Sequence, residues 1–325
     1  MKGENAMDTN KNRKTVSIVV PVYNEVDAIF PFLDAIEELF ATSEYLLEIV
    51  FVNDGSTDDT LPTLQKALGT HPKLRIVDLS RNFGKEAALS AGLAYSRGDA
   101  VIPMDVDLQD PPSLIPDMLK QWENGYEVVL AHRASRQSDS LLKRMTAQLF
   151  YKIHNIISTP KIPEDVGDYR LMDRVVVDAI LRLPENCRFM KGLFAWVGFR
   201  VTSLDYVRQP REVGRSKFNG WKLWNFALEG ITSFSTVPLR IWTYIGILIT
   251  TISFFYLIYL FLRACFTQVD VPGYTSLAIF IIFFSGIQLT GIGVLGEYLG
   301  RIYIESKRRP PYVVRSVYEH NDDLH

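Results

Sequence analysis

The segment SIVVPVYNE, residues 17–25, decides the fold, because an apolar and largely β-branched run ends there abruptly in polar residues. Such a run, bounded by a turn, is typical of a buried β-strand. Similar runs follow at Leu47–Val52, Leu74–Leu79 and Ala100–Met104, with a weaker one at Glu127–Leu130 and the first beginning at Val16. Helical stretches lie between them at about 26–41, 58–69, 85–96 and 112–124. Strands that alternate with helices predict an α/β fold with a largely parallel sheet.

Polar clusters follow the four main predicted strands. They are PVYNE at 21–25, NDGSTDD at 53–59, SRNFGK at 80–85 and DVDLQDPP at 105–112. A single acidic pair is common in solvated loops, but here four clusters occupy equivalent positions. Because ligands of parallel sheets bind beyond the carboxyl ends of the strands, we expect one binding site built from these loops. Ser56 and Asp59 also have the spacing of a capping box for the next helix.

The chemistry of these clusters suits a nucleotide and a metal ion. The chain has neither a GxGxxG pattern after the first strand nor a P-loop pattern, which argues against dinucleotide-binding Rossmann enzymes and P-loop NTPases. Asp54 could accept a hydrogen bond from a base or a ribose. Asp105 and Asp107 could share a divalent cation with a diphosphate, since Mg²⁺ prefers few carboxylates together with phosphate oxygens.

Composition excludes several other classes of protein. The 35 Lys and Arg residues are balanced by 37 Asp and Glu residues, so the chain is not a polycation and we expect no nucleic-acid partner. The chain has two cysteines, too few for a disulfide scaffold or a multi-cysteine zinc module.

The apolar residues are concentrated near the C-terminus, in the uncharged runs 241–262 and 274–296. As helices, these runs would each be about 33 Å long, enough to cross a hydrocarbon core of about 30 Å. Lys and Arg precede the first run and follow the second, so the positive-inside rule predicts both flanks in the cytoplasm. Residues 218–234 carry an aromatic-rich apolar stripe, which suits a helix in the membrane interface. The alternative is an amphipathic helix packed on the soluble domain.

The motifs SIVVPVYNE, VNDGSTDDT, LSRNFGKEAALSAG and MDVDLQDPP together resemble family 2 glycosyltransferases of the GT-A fold. Their order and spacing resemble the branch that charges polyisoprenyl phosphates. The second half, through STPKIPEDVGDYRLM, KFNGWKLWNFALEGITSFSTVPLRIWTYIG and GIGVLGEYLGRIYIE, resembles bacterial bactoprenol (undecaprenyl-phosphate) glucosyltransferases. The chain has no QxxRW motif, which speaks against a polymer synthase.

The resemblance implies an inverting transfer of glucose from UDP-glucose to undecaprenyl phosphate, for O-antigen, lipopolysaccharide or another surface polymer. The implied donor-binding residues are Pro21, Tyr23, Glu25, Asp54, Lys85 and Asp105. Mg²⁺ or Mn²⁺ would be bound by Asp105 and Asp107, and Gln109 and Asp168 would complete the catalytic set. An acceptor that is already a phosphate anion needs positive charge rather than a strong general base. The candidates that could bind it are Arg133, Arg136, Arg215, Ser216 and Lys217.

This interpretation also divides the chain into segments. They are a flexible tail at 1–15, a GT-A domain at 16–217, an interfacial helix at 218–237, transmembrane helices at 238–263 and 274–297, and a cytoplasmic tail at 298–325. The expected location is the bacterial inner membrane, with membrane lipids as further partners.

Gly296 and Gly300 form a GxxxG pattern that lets helices pack closely in lipid. A homo-oligomer is therefore expected, and the resemblance implies a tetramer, although the glycines could also pack the two helices of one chain. Two alternatives remain for the function. The donor could be another UDP-sugar such as UDP-N-acetylglucosamine, or the chain could be a non-catalytic membrane scaffold.

Overall fold

A computed structural model describes residues 13–134, 161, 166–185, 188–207, 235–266 and 273–320. The interfacial helix predicted at 218–234 lies outside the described residues, and so do Arg136, Arg215, Ser216 and Lys217.

Strands and helices alternate through the first 133 residues, as predicted. The strands are β1 Thr15–Val22, β2 Leu46–Asn53, β3 Leu74–Leu79, β4 Ala100–Pro103, β5 Val128–Arg133, β6 Val166–Asp173, β7 Val201–Tyr206 and β8 Val314–Glu319. The α-helices are α1 Ile29–Phe40, α2 Thr60–Leu68, α3 Lys85–Tyr95, α4 Ile115–Glu123, α5 Arg174–Leu181, α6 Met190–Trp196, α7 Val237–Phe266 and α8 Tyr274–Ser306. Short 3₁₀ turns, Val26–Ala28 and Pro112–Leu114, lead into α1 and α4.

One eight-stranded sheet has the order β7-β5-β6-β4-β1-β2-β3-β8. Strand β1 lies parallel to β2 and β4, β2 is parallel to β3, and β5 is parallel to β7. Only β6 and β8, among the strands of the described chain, run against their neighbours. The predicted α/β fold with a largely parallel sheet is confirmed.

Helices cover both faces of the sheet. On one face α1, α2 and α4 bury Phe32, Leu64 and Met118 against alternate residues of the strands, such as Ile18. On the other face α3, α5 and α6 bury apolar residues such as Leu89 against the intervening positions. This arrangement leaves the carboxyl-end edge of the sheet open between the two helical layers, where the strand-end loops meet.

Strand β6 brings a new segment to that edge. Because β6 runs antiparallel to β4 and β5, its first residues lie beside the last residues of those strands, and His132 is paired with Val166. Asp168 therefore belongs to the same edge as Asp105, although the two residues are far apart in the sequence.

Strand β8 lies inside a segment that the sequence assigns to a cytoplasmic tail, 298–325. Residues 314–319 instead pair antiparallel with β3 and complete the sheet, and the Glu319 carboxylate contacts the Arg75 guanidinium at 3.3 Å. Helix α8 also extends to Ser306, beyond the predicted end of the second span. The sequence did not predict β8, because a lone edge strand has little local signal apart from its distant partner.

Two long apolar helices, α7 and α8, separate β7 from β8. Within the described residues, one stretch, Leu239–Tyr256 of α7, is by length and composition able to cross a membrane, with a mean hydropathy of 1.4 and no buried residues. Large apolar side chains are exposed along both helices, including Tyr244, Leu248, Phe283 and Leu289.

Candidate active site

The loops after β1 and β2 are joined by hydrogen bonds at the carboxyl-end edge. The backbone N–H of Asn24 donates to the Ser56 hydroxyl at 3.0 Å, and the Asn24 side-chain oxygen accepts from the N–H of Thr57 at 2.9 Å. Asn24 has a positive φ of 55°, a conformation that asparagine tolerates better than most residues. The predicted capping box is wrong. The Ser56 hydroxyl is bonded to the backbone of Asn24 instead, and the N-cap residue of α2, Asp59, makes no side-chain capping bond.

Asp54 joins the loop after β2 to the loop after β3. Its two carboxylate oxygens accept the backbone N–H groups of Phe83 and Gly84 at 2.7 and 2.9 Å. Burial raises the pKa of Asp54, although these two hydrogen bonds and Arg81 oppose the shift. Gly55 allows the close approach, since its φ is +62° and an added Cβ would lie 2.3 Å from the carbonyl carbon of Arg81.

Lys85 lies at the first position of α3 and bridges two carboxylates. Its ammonium nitrogen is 2.7 Å from Oδ1 of Asp105, which follows β4, and 2.9 Å from Oδ2 of Asp168 in β6. Burial disfavours the charged lysine, but the two carboxylates outweigh burial and raise the Lys85 pKa. Burial also opposes ionisation of Asp168, yet the Lys85 charge dominates and lowers the Asp168 pKa well below its usual range. The bridge is therefore a true ion triad.

Glu86 lies next to this triad and was not singled out from the sequence. Its Oε2 accepts the backbone N–H of Met190, at the start of α6, at 3.1 Å. Burial and the negative charge of Asp168 raise the pKa of Glu86 to about 7. Glu86 therefore titrates near neutral pH.

The loop after β4 offers the donor set expected of a divalent-cation site. Asp107 accepts the backbone N–H of Gln109 at 3.2 Å, across Leu108 with its positive φ of 53°. Asp105 and Asp107 both line the cleft, and Asp105 already contacts one positive charge, the Lys85 ammonium. Two carboxylates beside an open cleft fit Mg²⁺ or Mn²⁺, which would take its remaining ligands from phosphate oxygens and water. No group of three or more His, Cys, Asp or Glu suited to a metal occurs in the described part of the chain.

These loops enclose a cleft of about 350 Å³ at the carboxyl-end edge. It brings together the predicted donor and metal residues Pro21, Tyr23, Glu25, Asp54, Lys85, Asp105 and Asp107. Asn82 and Gly84 also line the cleft and were not singled out as site residues. Their position in SRNFGK, between a strand and a helix, was the available signal. Asp168 reaches the cleft through its contact with Lys85.

On the side of β5 and β7, Arg133 takes part in a buried hydrogen-bonded chain. Its Nε donates to the Tyr206 hydroxyl at 3.2 Å, and that hydroxyl donates to Oδ1 of Asp110 at 2.5 Å. The hydroxyl of Tyr169 separately donates to the carbonyl oxygen of Pro111 at 2.9 Å. Asp110, Tyr206 and Tyr169 were not predicted, since the bond between Asp110 and Tyr206 joins residues 96 positions apart.

Comparison with known proteins gives consistent matches. A model of the family described as glycosyl transferase family 2 matches residues 17–181. A bactoprenol glucosyl transferase of Shigella phage SfV is 53% identical, over 93% of this chain and 98% of its own. A prophage bactoprenol glucosyl transferase homologue of Escherichia coli (strain K12) is 51% identical, over 93% of this chain and 99% of its own. A crystal structure of mannosyl-3-phosphoglycerate synthase from Rubrobacter xylanophilus is similar with a TM-score of 0.46 at 18% identity, over 80% of this chain and 78% of that chain.

Proposed function

The chain belongs to glycosyl transferase family 2, and on that premise we propose that it transfers glucose from UDP-glucose to undecaprenyl phosphate at the cytoplasmic face of a bacterial membrane. The observation that carries the proposal is the end-to-end similarity, above 50% identity, to proteins named bactoprenol glucosyl transferase. The cleft supports it, because acids, an amide and a lysine meet where a nucleotide sugar binds in such a sheet.

The loops after β1, β2 and β3 form the nucleotide side of the cleft. Pro21, Tyr23 and Glu25 line the wall against which the uridine would lie. Asp54 would act there by fixing the N–H groups of Phe83 and Gly84, which belong to the next loop of the cleft. A divalent cation bound by Asp105 and Asp107 would offset the charge of the UDP leaving group.

The transfer itself needs little proton chemistry. An oxygen of the acceptor phosphate attacks the anomeric carbon as the bond from that carbon to UDP breaks, which inverts the configuration. Because the phosphate is already ionised, the protein needs to orient it rather than deprotonate it. Arg133 is the described candidate for that task, and Arg136, Arg215, Ser216 and Lys217 complete the proposed acceptor site. Lys85 and Asp168 would lie on the sugar side of the donor, and Gln109 belongs to the loop that carries Asp105 and Asp107.

The helices α7 and α8 would hold the enzyme at the surface where its lipid acceptor is found. We propose that both cross the membrane and that residues 218–234 lie along the interface. Apart from the adjoining backbone of α8 itself, no described atom lies within 4 Å of an added Cβ at Gly296 or Gly300, so these glycines do not pack against the described part of α7. The small surface at Gly296 and Gly300 is therefore available for close packing against another copy of the chain. This supports the proposed homo-oligomer, which we expect to be a tetramer.

The test is transfer of radiolabelled glucose from UDP-glucose into an organic-extractable lipid. Purified full-length protein would be incubated with undecaprenyl phosphate and Mg²⁺, with and without EDTA. Metal-dependent label in the lipid is the expected result, and Asp105→Asn or Asp107→Asn should abolish it. Label from another UDP-sugar alone would change the donor and keep the mechanism, whereas no label from any donor would favour the non-catalytic scaffold.

A further inference from the structure

We propose that Tyr206 and Asp110 are positioning residues that orient Arg133 towards the acceptor phosphate and couple it to the loop carrying Asp105 and Asp107. The inference rests on the proposed function. Tyr206 lies in β7 and Asp110 in the loop after β4. We call Arg133, Tyr206 and Asp110 together the clamp.

Two of the three clamp residues are buried, and hydrogen bonds and strand pairing fix the positions of all three. Asp110 is 5% exposed and Tyr206 is 6% exposed, so water competes little for their hydrogen bond of 2.5 Å. Arg133 is partly buried, and its Nε donates to the oxygen of the same hydroxyl. Arg133 and Tyr206 are also register partners in the β5–β7 ladder, so the backbone fixes their spacing.

A series of contacts links Arg133 both to the ion triad and to the loop after β4. Lys85 contacts Asp105 and Asp168, and the residue before Asp168, Gly167, lies beside Arg133. An added Cβ at Gly167 would be 3.4 Å from Nη2 of Arg133. From Arg133 the chain of bonds passes through Tyr206 to Asp110, five residues after Asp105 in the same loop.

A guanidinium has five N–H donors in a fixed plane, so a bond to one nitrogen fixes the direction of the others. The Tyr206 hydroxyl accepts that bond, and Asp110 fixes the hydroxyl by accepting a hydrogen bond from it. Arg133 is thereby held relative to the metal loop, which lies on the donor side. Loss of the hydroxyl leaves the Arg133 charge in place and removes the hydrogen bond to its Nε, so acceptor recognition should suffer more than donor recognition.

The experiment compares Tyr206→Phe with Tyr169→Phe in the full-length enzyme, measuring KM for undecaprenyl phosphate and for UDP-glucose separately. Tyr169 is a matched control, because it is equally buried, its ring packs edge-on to Tyr206 at 6.1 Å, and its hydroxyl contacts Pro111 rather than Arg133. We expect Tyr206→Phe to raise the acceptor KM about tenfold, the scale of one hydrogen bond to a charged group, with the donor KM within about twofold. Tyr169→Phe should leave the acceptor KM within about twofold, whatever it does to stability.

Asp110→Asn provides a second, conservative variant, because its amide oxygen can still accept a hydrogen bond from the Tyr206 hydroxyl. It should keep the acceptor KM close to wild type, whereas Asp110→Leu should raise that KM as Tyr206→Phe does. Equal changes in both KM values, or in neither, would overturn the inference while the wild-type transfer stands. If the wild type moves no sugar to the lipid phosphate from any donor, the proposed function fails and the clamp's role fails with it.

Discussion

Lys85 is the residue at which three segments of the chain meet. It begins α3, and its ammonium holds Asp105 of the loop after β4 and Asp168 of β6 at 2.7 and 2.9 Å. Its side chain is still 48% exposed, so it can turn towards a negatively charged ligand without leaving the cleft. A lysine in this place can both neutralise the two acids and contact the donor phosphates.

We expect Lys85→Met to reduce glucosyl transfer about 100-fold or more, the scale seen when one group that stabilises developing charge is removed. The two carboxylates would also repel each other without the shared cation, so the thermal midpoint should fall. Lys66→Met, at an exposed position of α2, is the control and should change neither quantity. If Lys85→Met transferred glucose as fast as the wild type, Lys85 would have no role in the reaction.

Glu86 makes stability depend on pH. Its pKa rises from 4.5 to about 7 in the folded protein because burial and Asp168 disfavour its charge. The unfolded chain releases this proton at lower pH, so the stabilising contribution is present below about pH 4.5 and is lost as pH rises through about 7. Glu86→Gln keeps an acceptor for the Met190 N–H and cannot ionise.

At pH 8 the thermal midpoint of Glu86→Gln should therefore exceed that of the wild type by at least about 2 °C. The difference should shrink as the pH falls towards about 5. The measurement is a thermal scan in EDTA across this pH range. A difference that stays constant with pH would contradict the assignment.

Some site residues could be predicted from the sequence and others could not, for a physical reason. Asp54, Lys85, Asp105 and Asp107 follow predicted strands directly, so topology alone brings them to one edge. Asp168 was found only through family resemblance, because its strand VGDYRLMD mixes charged and apolar residues and gives a weak local signal. Tyr206 shows no local signal, since its role depends on a partner in a distant loop.

At the scale of single elements, α3 is placed by close packing on the sheet. Gly92 faces β1, and an added Cβ there would lie 2.2 Å from Cγ1 of Val19 and 3.1 Å from Cγ2 of Val52. Because α3 begins at Lys85, any shift of this helix would move the ion triad. The helix periodicity predicted α3 within one residue of its observed end, but did not predict this contact, which depends on the register of two strands.

Gly92→Ala should destabilise the domain by about 1–3 kcal/mol through overpacking, although alanine favours a helix. Gly69→Ala, at the end of α2, is the matched control. Among the described atoms, one lies near its added Cβ, the Lys66 carbonyl oxygen at 3.5 Å, so stability should change by about 0.5 kcal/mol or less. Thermal midpoints of the two purified variants check the difference. Equal midpoints would show that β1 yields to the added methyl group.

Strand β8 is an element whose loss should expose β3. Ending the chain at Pro310 removes β8 together with the ion pairs of Glu319 to Arg75 and Arg97. An uncovered edge strand promotes aggregation, so we expect a lower thermal midpoint and less monodisperse protein on size-exclusion chromatography. Ending the chain at His320 is the control and should behave as wild type. If the chain without β8 kept the wild-type thermal midpoint and stayed monodisperse, pairing of β8 with β3 would not be needed for stability.

At the scale of the whole molecule, the sheet constrains how the chain meets a membrane. Strand β7 precedes the two long helices and β8 follows them, yet both belong to one sheet. A chain that leaves this domain through α7 must therefore return to the same side through α8. The distribution of Lys and Arg independently predicts the same topology, with the flanks of both helices on one side of the membrane.

We therefore expect protease-cleavable tags fused before Met1 and after His325 to be protected in intact bacterial spheroplasts and cut after permeabilisation. A tag inserted between α7 and α8, after Asp270, should be cut in intact spheroplasts and serves as the positive control for protease access. The lipid-phosphate acceptor and the nucleotide donor would then meet on one side of the membrane, since the cleft lies on the same sheet as β7 and β8, which flank the two helices in the sequence. Cleavage of the C-terminal tag in intact spheroplasts would mean a single crossing, which is incompatible with β8 pairing to β3 in the same chain.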